Sequence, residues 1–173
     1  MAIKRILIYP EDCLKQVAHP VKMFNDPGLK NLVQDLLDTM YDAPGVGLAA
    51  PQIGVSLRVA VTDVSWRSDE ADGQRNHRVW INPKFLWKSE ETEIIEEGCL
   101  SLPDIYGDVE RPNAVRLRWY DLDGKKHQED FAGFQAVALQ HEFDHLDGKV
   151  FIDYFTPLKR RMITKKLKKK YLS

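Results

Sequence analysis

The sequence predicts one compact domain, spanning residues 1–173, in which helices and short strands are mixed. Three observations carry that expectation. The 173 residues, 43% of them apolar, suffice for one substantial core. Leu29, Leu32, Val33, Leu36, Leu37 and Met40 recur at helical spacing, and Gly133 to Leu139 reads as a second, buried helix. Val55, Leu57, Val59 and Val61 alternate with Ser56, Arg58, Ala60 and Thr62, the pattern of a half-buried strand.

From the N-terminus, Ile3 to Tyr9 is expected to form a short strand and Pro10 to Pro20 mostly loop. His19, held extended by Pro20, is expected at the surface. Asp26 can cap the first long helix, Pro27 suits its first turn, and Pro44-Gly45 ends it. Gly45-Val46-Gly47-Leu48-Ala49-Ala50-Pro51-Gln52-Ile53-Gly54 comes next. Its small residues let the backbone approach a ligand or another strand closely, and Gln52 alone offers amide donors; a tight turn with a surface Gln explains the same residues. Ser65 to His77, with Asp72-Gly73 inside it, is expected to be an exposed loop with His77 solvated. Arg78 to Trp87 resumes a strand pattern interrupted at Asn82-Pro83. Val115–Tyr120 and Lys125–Phe131 flank Asp121-Leu122-Asp123-Gly124 as a hairpin, with His127 exposed.

Composition narrows the function classes. No run approaches the roughly twenty apolar residues that a bilayer span needs. Ile6-Leu7-Ile8-Tyr9 is too short for the apolar core of a signal peptide, so a cytoplasmic protein with no membrane association is expected. Cys13 and Cys99 make no disulfide framework. The net charge of −1 conceals an asymmetry: residues 156–173 carry eight Lys or Arg and no acid, against seventeen basic and twenty-six acidic residues before them.

The chemistry concentrates at Gln140-His141-Glu142-Phe143-Asp144-His145. On a helix, His141 and His145 leave the same face and can reach one metal ion. Glu142 stands beside them, where a carboxylate can take a proton from metal-bound water without binding the metal. Asp144 lies on the other flank, and helical geometry alone does not say which carboxylate is the base. A catalytic metal normally takes one more protein ligand and leaves a position for water. Cys99, in Glu96-Glu97-Gly98-Cys99-Leu100-Ser101-Leu102-Pro103, offers a thiolate that suits zinc or iron(II), and spacing leaves Glu97 and Asp144 open as alternatives. Cys13, far from other candidate ligands, reads as a small buried hydrophobe.

Together, Gly45-Val46-Gly47-Leu48-Ala49-Ala50-Pro51-Gln52, Glu97-Gly98-Cys99-Leu100-Ser101 and Gln140-His141-Glu142-Phe143-Asp144-His145 closely resemble the peptide deformylases. The likeness runs from the N-terminal Ile-Leu-x-Tyr-Pro segment to Phe151-Ile152-Asp153-Tyr154. It implies an α+β fold in which antiparallel sheets pack around a central metal-binding helix, with an N-terminal and a C-terminal helix. It implies one divalent ion on Cys99, His141 and His145: iron(II) physiologically, with zinc, nickel or cobalt able to replace it. By the same resemblance, metal-bound water is the nucleophile and Glu142 the general acid/base. Gln52 and the Leu100 N–H stabilise the oxyanion, and Asp144 supports structure. The implied reaction removes formyl from N-formyl-methionyl nascent chains and releases formate.

For the methionine side chain, Val46, Gly47, Ile95, Phe134, Val137 and Ala138 are expected to line an apolar slot, and all of them also suit a core. Glu97 and Arg111 resemble a family ion pair that braces the Cys99 loop. Tyr106 stands where some members carry Arg, which leaves its role open. Leu158, Met162, Ile163, Leu167 and Tyr171 recur at helical spacing among lysines and arginines, so a basic helix is expected over about 157–172. Such a helix either packs its stripe on the body or, as in some family members, docks on the ribosome. A monomer is expected. Two rival readings use the same residues: a zinc endopeptidase of the His-Glu-x-x-His type, and an inactive, metal-stabilised homologue.

Overall fold

A computed structural model describes residues 2–68 and 74–173. Helix α1 (Pro27–Asp42) begins where Asp26 accepts a hydrogen bond from the Gly28 N–H, and its whole predicted stripe from Leu29 to Met40 is buried. Strands β1 (Gly47–Ala49), β2 (Val59–Thr62), β3 (Arg78–Lys88), β6 (Ala114–Tyr120) and β7 (Lys126–Ala132) form an antiparallel sheet in the order β1-β2-β3-β6-β7. Strands β4 (Thr92–Cys99) and β5 (Leu102–Pro112) form a separate antiparallel pair. Helices α2 (Gly133–Leu146) and α3 (Pro157–Tyr171) follow. The architecture is the expected α+β one.

α2 is buried nearly all round, which is why its polar residues must find partners inside the protein. Ala136, Leu139, Phe143 and Leu146 pack against the sheet through Trp80, Val115, Leu117 and Phe131. Trp80 is the hub of this cluster: its ring lies 4.7 Å from Trp119, 5.6 Å from Phe131 and 5.9 Å from Phe143, and its indole N–H donates to Thr62. A second cluster joins α1 to Val59, Val61 and Ile81 on the sheet's other side. β2 is therefore buried on both faces, not half-buried as its alternation suggested, because Ala60 points into one cluster while Val59 and Val61 point into the other.

Other expectations change too. Ile3 to Tyr9 is no strand: the Leu7 N–H donates to the Gln52 carbonyl (2.7 Å) and the Tyr9 N–H to that of Ser101 (2.8 Å), so this extended segment laces two turns together. Asp12–Lys15 forms a 3-10 turn within the predicted loop. β3 runs through Asn82-Pro83 without breaking, because a register shift between Ile81 and Lys84 absorbs Asn82 at φ 49°. The hairpin at Asp121–Gly124 forms as expected, with Gly124 at φ +79°. His127 is half-buried, not exposed: it stacks on Trp119 at 5.3 Å and lies 2.8 Å from Asp121. His19 and His77 are exposed. Within the predicted 65–77 loop, Asp72-Gly73 lies outside the described residues, while Ser65–Ser68 and Gln74–His77 hold no helix or strand.

On α3, Ile163 and Leu167 pack against Leu102, Val109 and Phe151, whereas Leu158 and Met162 remain more than 60% exposed. The apolar stripe thus docks over part of its length only. No helix of the described residues is long and apolar enough to cross a membrane.

Candidate metal centre

The β4–β5 hairpin and α2 meet at one point. A register shift between Gly98 and Cys99 turns the end of β4 towards the helix. It sets Cys99 Sγ 3.4 Å from His145 Nε2. One ligand atom each from Cys99, His141 and His145 lies within 4.8 Å of the other two. The two rings are 5.3 Å apart at 77°. A soft sulfur and two imidazole nitrogens converging this way can hold one divalent ion such as zinc or iron(II).

The surroundings fit that use. Glu97 Oε1 lies 2.8 Å from His141 Nδ1, which turns the other ring nitrogen towards the cluster. Glu97 in turn accepts two hydrogen bonds from Arg111, at 2.6 and 2.9 Å, and Arg111 donates a third to Asp144 at 2.9 Å. The Tyr154 hydroxyl donates to the same Asp144 oxygen at 2.8 Å. Burial pushes the Glu97 carboxyl up, but the bonds from His141 and Arg111 outweigh it and hold the group below its ordinary range. Burial also opposes charge on His141, yet the Cys99 sulfur and the Glu97 carboxylate win, raising it well above the usual imidazole value. Burial lowers His145 well below that value.

Glu142 is the group set apart. Its Oε2 is buried without a hydrogen-bond partner, and Oε1 sits 4.0 Å from His141 Nε2. Burial pushes this carboxyl up to about 7, against the pull of His141. Gly47 makes the room: a Cβ there would come 2.5 Å from Glu142 Oε1. Gln52, 1% exposed, accepts from the Ala49 N–H (2.9 Å) and directs its amide nitrogen at Ser101 Oγ (3.1 Å) and Cys99 Sγ (3.5 Å).

A cleft of about 450 Å³ opens onto these groups, bordered by Val46, Gly47, Gln52, Cys99, Leu100, His141 and Glu142. Tyr106 stands at its rim, 64% exposed, with its ring over Gly98, where a Cβ would come 2.7 Å from it. Of the other expected slot residues, Val137 is buried, Ile95 and Ala138 are half-buried and Phe134 is 52% exposed; none borders this cleft.

A family model described as polypeptide deformylase matches residues 3–161. The chain belongs to this deformylase family. It is 50% identical to a peptide deformylase of Novosphingobium aromaticivorans, over 98% of this chain and 97% of the relative. It is 48% identical to one of Phenylobacterium zucineum, again over 98% and 97%. Among solved structures, a Legionella pneumophila peptide deformylase superposes with TM-score 0.86 at 43% identity, covering 97% of this chain and 95% of that one. An Ehrlichia chaffeensis peptide deformylase in complex with actinonin gives TM-score 0.91 at 33% identity over the whole of both chains.

Sequence reasoning missed two participants in this deformylase site. Ser101, fully buried, takes the Gln52 amide, and Tyr154 closes the far end of the Glu97–Arg111–Asp144 network. Neither stands in a pattern that announces a partner so distant in sequence.

Proposed function

We propose that the chain removes the formyl group from N-formyl-methionyl nascent polypeptides, using a metal held by Cys99, His141 and His145. The observation that carries this reading is the convergence of those three donors beside a buried carboxylate oxygen that has no partner of its own. Iron(II) is the proposed physiological ion, with zinc, nickel or cobalt as substitutes. When bound, such an ion supplies an acidified water and a Lewis acid for the formyl carbonyl.

The chain's own groups do the rest. Glu142 takes the proton from the attacking water and returns it to the leaving nitrogen, releasing formate and a free amino terminus. Gln52 and the Leu100 N–H donate to the carbonyl oxygen as it gains charge, which for each such donor is typically worth about 3–4 kcal/mol. The substrate backbone lies along β1, an edge strand of its sheet that borders the cleft. Val46 and Gly47 flank the methionine side chain in this cleft, and the slot expected at Ile95, Phe134, Val137 and Ala138 does not open onto it. Anaerobically purified protein should release formate from a formyl-Met tripeptide and leave internal peptide bonds intact. Cleavage of internal bonds without formate would favour an endopeptidase instead.

The base must be ionised to act, so activity is lost as pH falls through the Glu142 pKa. Burial sets that value at about 7 before any cation is bound, and a cation's charge pulls it down. The acid limb of kcat/KM against pH should therefore have its midpoint at or below about 7. A limb centred well above that value would remove Glu142 from the role.

The same reading gives α3 a partner. Its exposed lysines suit an anionic surface, and we assign them to the ribosome that presents the nascent chain. Removing residues 158–172 should weaken co-sedimentation with ribosomes at low salt. Unchanged binding would refute this assignment and leave the chemistry untouched.

A further inference from the structure

The turn that leads into β1 is held from outside the reacting groups. Three consecutive carbonyls, those of Pro44, Gly45 and Val46, accept hydrogen bonds from one short segment. Arg67 Nη1 donates to the first (3.2 Å), Trp66 Nε1 to the second (2.9 Å) and the Asp63 N–H to the third (2.8 Å). Trp66 is itself fixed: its ring meets Tyr41 edge-on at 5.1 Å. Tyr41 carries the Arg75 guanidinium over its face at 4.0 Å and donates its hydroxyl to Asp63 at 2.6 Å. The held turn touches the site on two sides. A Cβ on Gly45 would come 2.9 Å from Leu100 Cδ1, so this backbone is the wall against which Leu100 rests. Val46 and Gly47 follow directly and border the cleft.

We propose that Trp66 is a positioning residue for substrate, acting through the Gly45 carbonyl. Its indole N–H, with Arg67 beside it, holds the Pro44–Val46 turn so that the β1 edge presents a fixed ladder to the peptide and Leu100 keeps its place. The proposal rests on the reading of this cleft as the formyl-peptide site. It touches no metal-binding atom, so it separates binding of the peptide from loading of the metal.

Trp66→Phe retains a ring against Tyr41 and deletes the N–H. With a formyl-Met tripeptide, KM should rise about fivefold, the value of one partly buried hydrogen bond, while kcat changes less than twofold. Metal content should stay at the wild-type value, Tm should fall by no more than about 2–4 °C, as the loss of one such bond implies, and amide exchange over Gly45–Leu48 should quicken. Arg67→Met, at an exposed side chain, should move KM the same way by a smaller factor. Unchanged KM and exchange in Trp66→Phe would overturn the proposal, as would parallel losses of kcat, metal and Tm. If wild-type protein released no formate, the reading of the cleft would fail; quickened exchange in Trp66→Phe would still support the strap on β1.

Discussion

Replacing Glu142 with Gln should lower kcat/KM by about 10²–10⁴ while leaving the metal in place. Gln keeps the shape of the side chain beside Gly47 but can neither accept the proton nor return it. The three donor atoms belong to other residues, so metal content should match wild type. Stability supplies a second readout with a definite sign. Burial raises the Glu142 carboxyl from an ordinary 4.5 to about 7. A group raised in this way stabilises the fold below its unfolded pKa, and that contribution is lost as pH rises through the folded value. Metal-free wild-type protein therefore carries a buried, poorly compensated charge at pH 8, a burden of about 3 kcal/mol at one pKa unit per 1.36 kcal/mol. Metal-free Glu142→Gln should be the more stable protein at that pH and show a flatter dependence between pH 5 and 8. Loss of metal together with activity would assign Glu142 to the coordination sphere and contradict the account.

Arg111→Met should cost about 3–5 kcal/mol in stability, because it leaves the Glu97 carboxylate buried without its counter-charge. Arg111 is 3% exposed and Glu97 7%, so water cannot screen the loss. Glu97 also sets the ring of His141, and an unbraced partner of a metal-binding histidine typically costs ten- to a hundredfold in metal affinity. Denaturant titration with and without metal measures both effects. A Glu97→Gln, Arg111→Met double variant removes the stranded charge and should recover part of the stability but none of the affinity. In the wild type, Glu97 sits below its ordinary pKa, so its contribution is present above an unfolded value of 4.5 and is lost as pH falls through the folded one. Equal stability of Arg111→Met and wild type at neutral pH would show that the pair is not braced as described.

How much of this was legible beforehand depends on whether a residue's role is local. The α1 stripe, its Asp26 cap and the Asp121–Gly124 hairpin are set within a few residues, and each forms as its pattern requires. The His141–His145 pair is likewise a property of one helix. The β4–β5 hairpin, which delivers Cys99 to that helix, gave little signal: its strands carry Glu93, Glu96, Asp108 and Glu110 on exposed positions, and its turn at Leu100-Ser101 lacks an Asn-Gly or Asp-Gly marker. Ile3–Tyr9 misled for the opposite reason. Its residues suit a strand, but its hydrogen-bond partners are the Gln52 and Ser101 turns, and no local pattern encodes them. Spacing alone offers Cys99 as the third donor beside the histidines and leaves Glu97 and Asp144 open; family resemblance, through three motifs in order, selects Cys99 and gives Gln52 its role.

X-ray absorption on zinc-loaded protein reads the donor atoms of Cys99, His141 and His145 themselves. One sulfur scatterer at about 2.3 Å and two imidazole nitrogens at about 2.0–2.1 Å are the predicted shell, with the sulfur lost in Cys99→Ser. A zinc shell with no sulfur, or one that Cys99→Ser leaves unchanged, would contradict it.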